Sequence, residues 1–94
     1  MKKQKLTFTG VIVKEDKGYS SVCLEVDVAS QGSTISEAKK NLLEAVTLYI
    51  ETAFENNLPI IRYIPKNENP LNTRPDDIKE IFNIKIDLKV KASV

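Results

Sequence analysis

From Ile35 to Glu55 apolar residues recur every three or four positions, and neither Gly nor Pro interrupts the run. Ile35, Ala38, Leu42, Ala45 or Val46, Tyr49 and Ala53 make the stripe, and Leu43, Ile50 and Phe54 widen it. Lys39, Lys40, Glu44, Glu51 and Glu55 sit largely off it. The run is preceded by Thr34-Ile35-Ser36-Glu37, a capping box. Its Thr hydroxyl accepts from the Glu37 amide, and the Glu37 carboxylate reaches back to the Thr34 amide. Asn56-Asn57 and then Pro59 supply the stop. The pattern predicts a helix over Ile35 to Glu55, about 30 Å long at 1.5 Å per residue. Such a helix has to lie on a second layer; either its whole stripe packs on its own sheet, or one edge of it also meets a second subunit.

The flanking sequence reads as that second layer. Leu6 to Lys14 alternates, with Leu6, Phe8 and Ile12 on one face and Thr7, Thr9, Val11 and Val13 on the other. Gly10 in its middle marks a bulge or a close packing contact. Glu15-Asp16-Lys17-Gly18 is a turn into a second strand, Tyr19 to Leu24. Val26 to Ser30 or Gln31 reads as a third, ended by Gly32. After the helix, Ile60 to Ile64 is a short strand or extended segment, and Lys66 to Pro70 is a loop. Pro75 to Ile81 fits a short helix with Pro at its first position. Ile84, Ile86, Leu88 and Val90 then alternate with Lys85, Asp87, Lys89 and Lys91, a half-buried strand with one charged face. The expectation is a single α+β domain over residues 1–94: a two-layer fold of order β-β-β-α-β. It has three antiparallel strands, one further strand and one long helix, with residues 58–83 as a variable connector.

Composition narrows the function classes. Fourteen Lys and Arg against thirteen Asp and Glu leave a net charge of +1, which excludes a nucleic-acid binder driven by bulk charge. The absence of histidine excludes His-activated Ser or Cys nucleophiles and His-ligated metals. Cys23 is the only cysteine, so no internal disulfide forms, which fits a reducing cytoplasm. No apolar run approaches the ~18–20 residues that span a bilayer. The expectation is a cytoplasmic protein without a cofactor.

A few individual residues bear on chemistry. Glu25 and Asp27 lie two apart, which on a strand places both on one face. As chemistry they are half of a nuclease-type metal site, with Asp87 and Glu44 the only candidates to complete it. As recognition they are contacts for a basic, RNA-binding partner. As structure they are solvated strand-edge charges. Gln31-Gly32 is either part of a binding site or the strand end that turns the chain into the helix cap. Cys23 lacks a base to activate it and reads as a small buried hydrophobe. Tyr19 and Tyr49 read as core or interface aromatics, and Lys2, Lys3 and Lys5 as a basic, solvated arm.

Gly18-Tyr19, the run Cys23-Leu24-Glu25-Val26-Asp27-Val28-Ala29-Ser30-Gln31-Gly32-Ser33-Thr34, and Ile35-Ser36-Glu37-Ala38 with Asn41-Leu42, Glu44-Ala45 and Leu48 to Glu51 resemble the HicB family of antitoxin-like proteins. The chain departs from that family at Leu24, where Pro is frequent, and at Ser33, where Asp or Lys is frequent. Many members add a C-terminal helix-turn-helix or ribbon-helix-helix segment. Here the end reads as a strand, so the resemblance is to the short, single-domain form without a DNA-reading module. It implies a degraded ribonuclease-H-like half-fold. It also implies an antitoxin of a type II toxin–antitoxin system that covers a small basic ribonuclease toxin, HicA-like, and does no chemistry itself. Free sheet edges and the wide helical stripe favour a homo-oligomer, a dimer or tetramer. Glu25, Asp27 and Gln31 are the candidate partner-binding residues. The competing readings are an orphan oligomeric domain of unknown ligand and a metal-dependent nuclease.

Overall fold

The computed structural model describes residues 2–90. Its elements run β1 (Lys2–Lys14), β2 (Tyr19–Cys23), β3 (Val28–Gly32), α1 (Ile35–Glu55), a single helical turn α2 (Pro70–Thr73) and β4 (Ile78–Val90). The strands form one antiparallel sheet of order β3-β2-β1-β4. This is the expected α+β layout, β-β-β-α-β. The first connection turns at Gly18, whose φ of +91° favours glycine.

Both faces of the sheet are apolar, and each has its own cover. Phe8, Cys23, Ile84 and Ile86 meet Leu42, Val46 and Ile50 of α1, with Val26 closing the same cluster. Ala38, Leu42, Val46, Ile50 and Ala53 are the buried positions of α1, the spacing that its sequence stripe predicts. On the other face Val11, Val13 and Val22 pack with Leu24, Ile64 and Ile78. That cover comes from the chain between α1 and β4. Arg62 and Ile64 donate their amides to the carbonyls of Glu25 and Leu24 at 2.8 and 2.9 Å. Further on, Arg74 reaches the β1–β2 turn, donating to the Lys14 carbonyl at 2.9 Å. The segment expected as a variable connector is thus a strap drawn across the sheet, and it explains why Val11 and Val13 are apolar on the face away from the helix.

The ends of several elements differ from the sequence reading. β1 begins at Lys2, so the residues read as a basic arm are backbone partners of β4, with Lys2 opposite Val90 and Lys5 opposite Asp87. β4 begins at Ile78, which shortens the connector expected to run to residue 83. Of the short helix expected over Pro75 to Ile81, only a 3-10 turn at Pro75–Asp77 forms. Ile78 and Ile81 join the ladder opposite Val13 and Val11, and this long-range pairing overrides the local helix signal. β3 begins at Val28 because residues 24–27 form a turn. The expected alternation holds through Ile84, Lys85, Ile86 and Asp87, buried and exposed by turns. Lys91 lies outside the described residues.

α1 is tied down at both ends. The Thr34 hydroxyl accepts from the Glu37 amide at 3.0 Å, as the capping box predicts. The return contact is displaced by one residue: the Glu37 carboxylate accepts from the Ser33 amide at 2.9 Å rather than from Thr34. At the far end Asn57 takes a left-handed conformation, φ 53°. The Leu58 amide then donates to Ala53 at 2.8 Å and the Asn57 amide to Phe54 at 3.3 Å, a Schellman closure. Lys39 pairs with Glu80 at 2.5 Å and lies 4.8 Å from the centre of the Phe82 ring, which links the helix to β4.

Candidate functional site

β2 leaves β1 after the pair Cys23–Gly10, and the next residue of β1, Thr9, would keep an unpaired amide on that side. Glu25 fills the gap. One carboxylate oxygen accepts from the Thr9 amide and the other from the Thr9 hydroxyl, both at 2.7 Å. Leu24 completes the join by donating its amide to the Thr9 carbonyl at 3.0 Å. The turn closes with the Asp27 amide on the Cys23 carbonyl at 3.0 Å, and Asp27 takes φ 53°, a conformation that Asp tolerates better than most residues.

This geometry corrects the reading of Glu25 and Asp27 as neighbours on one strand face. Both lie in the turn. Glu25 is bound to β1, whereas the Asp27 carboxylate lies 3.9 Å from the guanidinium of Arg62 on the strap. Neither Asp87 nor Glu44 joins them: among the described residues no three of the Cys, Asp and Glu side chains gather as a cation site. Cys23 is fully buried, as expected. Burial first, and the nearby Glu25 charge second, push its thiol up to about 11, so it stays protonated at neutral pH.

Gln31 lies elsewhere. It is exposed on β3, and its carbonyl accepts from the Asn41 side-chain amide at 2.8 Å. It lines a polar cleft of about 400 Å³ with Glu15, Lys17, Tyr19, Ser33 and Glu37. Gly32 beside it lets the first turn of α1 settle on the strand, since a β-carbon there would lie 2.5 Å from the Ala38 nitrogen. The three candidate residues therefore do not form one site. Glu25 is structural, Asp27 faces the strap, and Gln31 borders the cleft at the start of the helix.

Two features escaped the sequence reading. One is a clasp at Arg74, which donates to both oxygens of Glu15 at 2.9 and 2.8 Å and to Asp77 at 3.1 Å. Glu15 also accepts from the Ser20 hydroxyl at 2.6 Å. The other is an apolar groove of about 390 Å³ between α1 and the start of β3, lined by Val28, Ala45, Leu48, Tyr49, Thr52 and Leu58. Leu48 is 66% exposed and Leu58 56%. The Schellman closure places Leu58 there. The sequence reading gives Leu48 no place in the helix's core stripe and no role of its own, yet its offset from Leu42, Val46 and Ile50 carries the signal.

Two relatives decide the family. The UPF0150 protein ssr1765 of Synechocystis sp. (strain ATCC 27184 / PCC 6803 / Kazusa) is 38% identical over 60 residues, which cover 62% of this chain and 76% of that protein. The UPF0150 protein ssl0738 of the same organism is 41% identical over 54 residues, covering 55% of this chain and 75% of that protein. The chain belongs to the UPF0150 family. No family model and no solved structure matches it. In this UPF0150 chain the polar cleft at Gln31 and the apolar groove at Leu48 are separate, with no lining residue in common. Among the described residues no helix is long and apolar enough to cross a membrane.

Proposed function

We propose that the chain is a HicB-like antitoxin of a type II toxin–antitoxin system, which neutralises a small basic ribonuclease toxin by covering it. The UPF0150 relationship supports this reading, together with the HicB-like run from Cys23 to Ala38. The structural observation that carries it is the amount of large apolar side chain left to solvent. Leu48, Leu58, Tyr63 and Ile81 are 66%, 56%, 70% and 56% exposed on a 94-residue chain. Leu48 and Leu58 line one apolar groove, and contiguous surface of that kind is suited to burial against another protein. Blockade needs complementary surface and no catalytic group, and homo-oligomerisation through a free sheet edge is compatible with it.

Co-purification tests the proposal. The chain is expressed with the product of its neighbouring open reading frame, tagged on this chain alone, and the complex is weighed by light scattering. A stoichiometric complex in which the neighbour's RNA cleavage is silenced is the expected result. A lone homo-oligomer that retains no neighbour and rescues no growth overturns it in favour of an orphan domain.

A further inference from the structure

Between Lys40 and Arg62 the sequence has no lysine or arginine. Glu44, Glu51 and Glu55 all lie exposed in this stretch, and at offsets of four, three and four residues Glu44, Leu48, Glu51 and Glu55 fall on one line along α1. Among the described residues none of these three glutamates takes part in a salt bridge. The placement of Glu51 and Glu55 works against the helix. Glu51 and Glu55 are like charges four apart, a spacing that destabilises a helix. Both approach the C-terminal end, where the backbone dipole favours cations, and the last turn holds no basic residue. Nothing within the described chain compensates for this.

The acidic line runs along α1 beside the apolar groove. Leu48 belongs to both, and Ala45, Tyr49 and Thr52, one position round the helix, form the groove wall that continues to Leu58 and Val28. We infer that this groove is the docking site of a basic protein, which sets an apolar side chain between Leu48 and Leu58 and lysines or arginines against Glu44, Glu51 and Glu55. The charge decides the occupant. A second copy docked helix to helix about a two-fold axis brings the same glutamates against one another. A cationic partner instead neutralises the three carboxylates and the end of the helix dipole while it covers Leu48. Its identity as the ribonuclease toxin rests on the antitoxin reading; the surface and its charge preference do not.

The test compares the full chain with Leu48→Lys and with the triple variant Glu44→Lys, Glu51→Lys, Glu55→Lys. These positions are exposed, so both variants are expected to fold, which circular dichroism and melting verify. In co-expression with the neighbouring gene product, the wild type is expected to hold and silence it. Each variant is expected to weaken the complex by at least about tenfold, with wild-type affinity falling as salt rises. A wild-type complex that both variants keep at full strength overturns the docking site and leaves the antitoxin reading standing. If the wild type keeps no neighbour, the antitoxin reading falls, and a synthetic amphipathic peptide of leucine and lysine decides the surface. Amide shifts confined to Leu48, Thr52 and Leu58, lost in the triple variant and absent with a leucine–glutamate peptide, support it. Shifts elsewhere, none at all, or a dimer that Leu48→Lys dissociates overturn it.

Discussion

The tip of the Phe82 ring on β4 rests over Gly10 of β1, where a β-carbon would meet Cε1 and Cε2 at 2.6 and 2.8 Å. The two residues are direct partners in the ladder. The close-contact alternative for Gly10 is therefore the one realised, and the ladder's irregularity falls instead beside Ile12 and Val13, where β4 carries the extra residue Lys79. Gly10→Ala forces the ring to move and is expected to cost about 1–3 kcal/mol, as overpacking does. In a Phe82→Leu background the same change is expected to cost much less. Urea unfolding of the four chains gives the coupling, and strictly additive losses contradict the contact.

Glu25 completes the edge of β1 at Thr9. Its carboxylate accepts from the amide and the hydroxyl of Thr9, where the neighbouring strand has ended. Hydrogen bonds to a charged group contribute roughly 1.5–3 kcal/mol, and their loss leaves the Thr9 amide unsatisfied. Glu25→Ala is expected to lower stability by about that much, and Thr9→Val by less, because the amide contact survives. Hydrogen exchange at Thr9 is expected to quicken in Glu25→Ala. An unchanged exchange rate and denaturation midpoint contradict the role.

What the sequence made legible was local. The capping box and the stripe placed α1 at Ile35–Glu55, because the signals for a helix lie within a few residues of one another. The alternation along β1 is legible too, since Phe8 packs in the cluster under α1 and Val11 and Val13 in the cluster under the strap. Glu25 was misplaced because Val26, although buried like a strand residue, is buried from a turn. The clasp of Arg74 on Glu15 spans 59 residues and leaves no periodic trace. The apolar groove is hidden for a different reason: Leu48 lies off the core stripe among Glu44, Glu51 and Glu55, and only the fold brings Leu58 and Val28 beside it.

The end of α1 gives a backbone test. Asn57 sits at φ 53°, and the Leu58 contact on Ala53 depends on it. A branched residue there costs roughly 1–2 kcal/mol in the left-handed region, whereas glycine is at ease in it. Asn57→Gly is expected to match or slightly exceed the wild-type melting temperature, and Asn57→Val to fall below it. Because the same closure positions Leu58, Asn57→Val is also expected to weaken binding at the groove. Equal melting of the two variants contradicts the assignment.

Acid is expected to undo the clasp between the strap and the first turn. The Ser20 hydroxyl first and the Arg74 guanidinium second hold the Glu15 carboxyl below its ordinary value of 4.5. The folded chain thus binds this proton less readily than the unfolded chain. The stabilisation is complete above about pH 4.5, and it is lost as pH falls through the lower folded value. Both partners are more than a third exposed, so the effect is modest and screened by salt. Glu15→Gln is expected to melt below the wild type at pH 7, with the gap closing as the pH is taken below 4.5 and narrowing in high salt. Arg74→Lys, which keeps the charge but not the paired contact, is expected to fall between the two. A gap that stays constant from pH 7 to pH 3 means that the Glu15 charge contributes nothing to holding the strap.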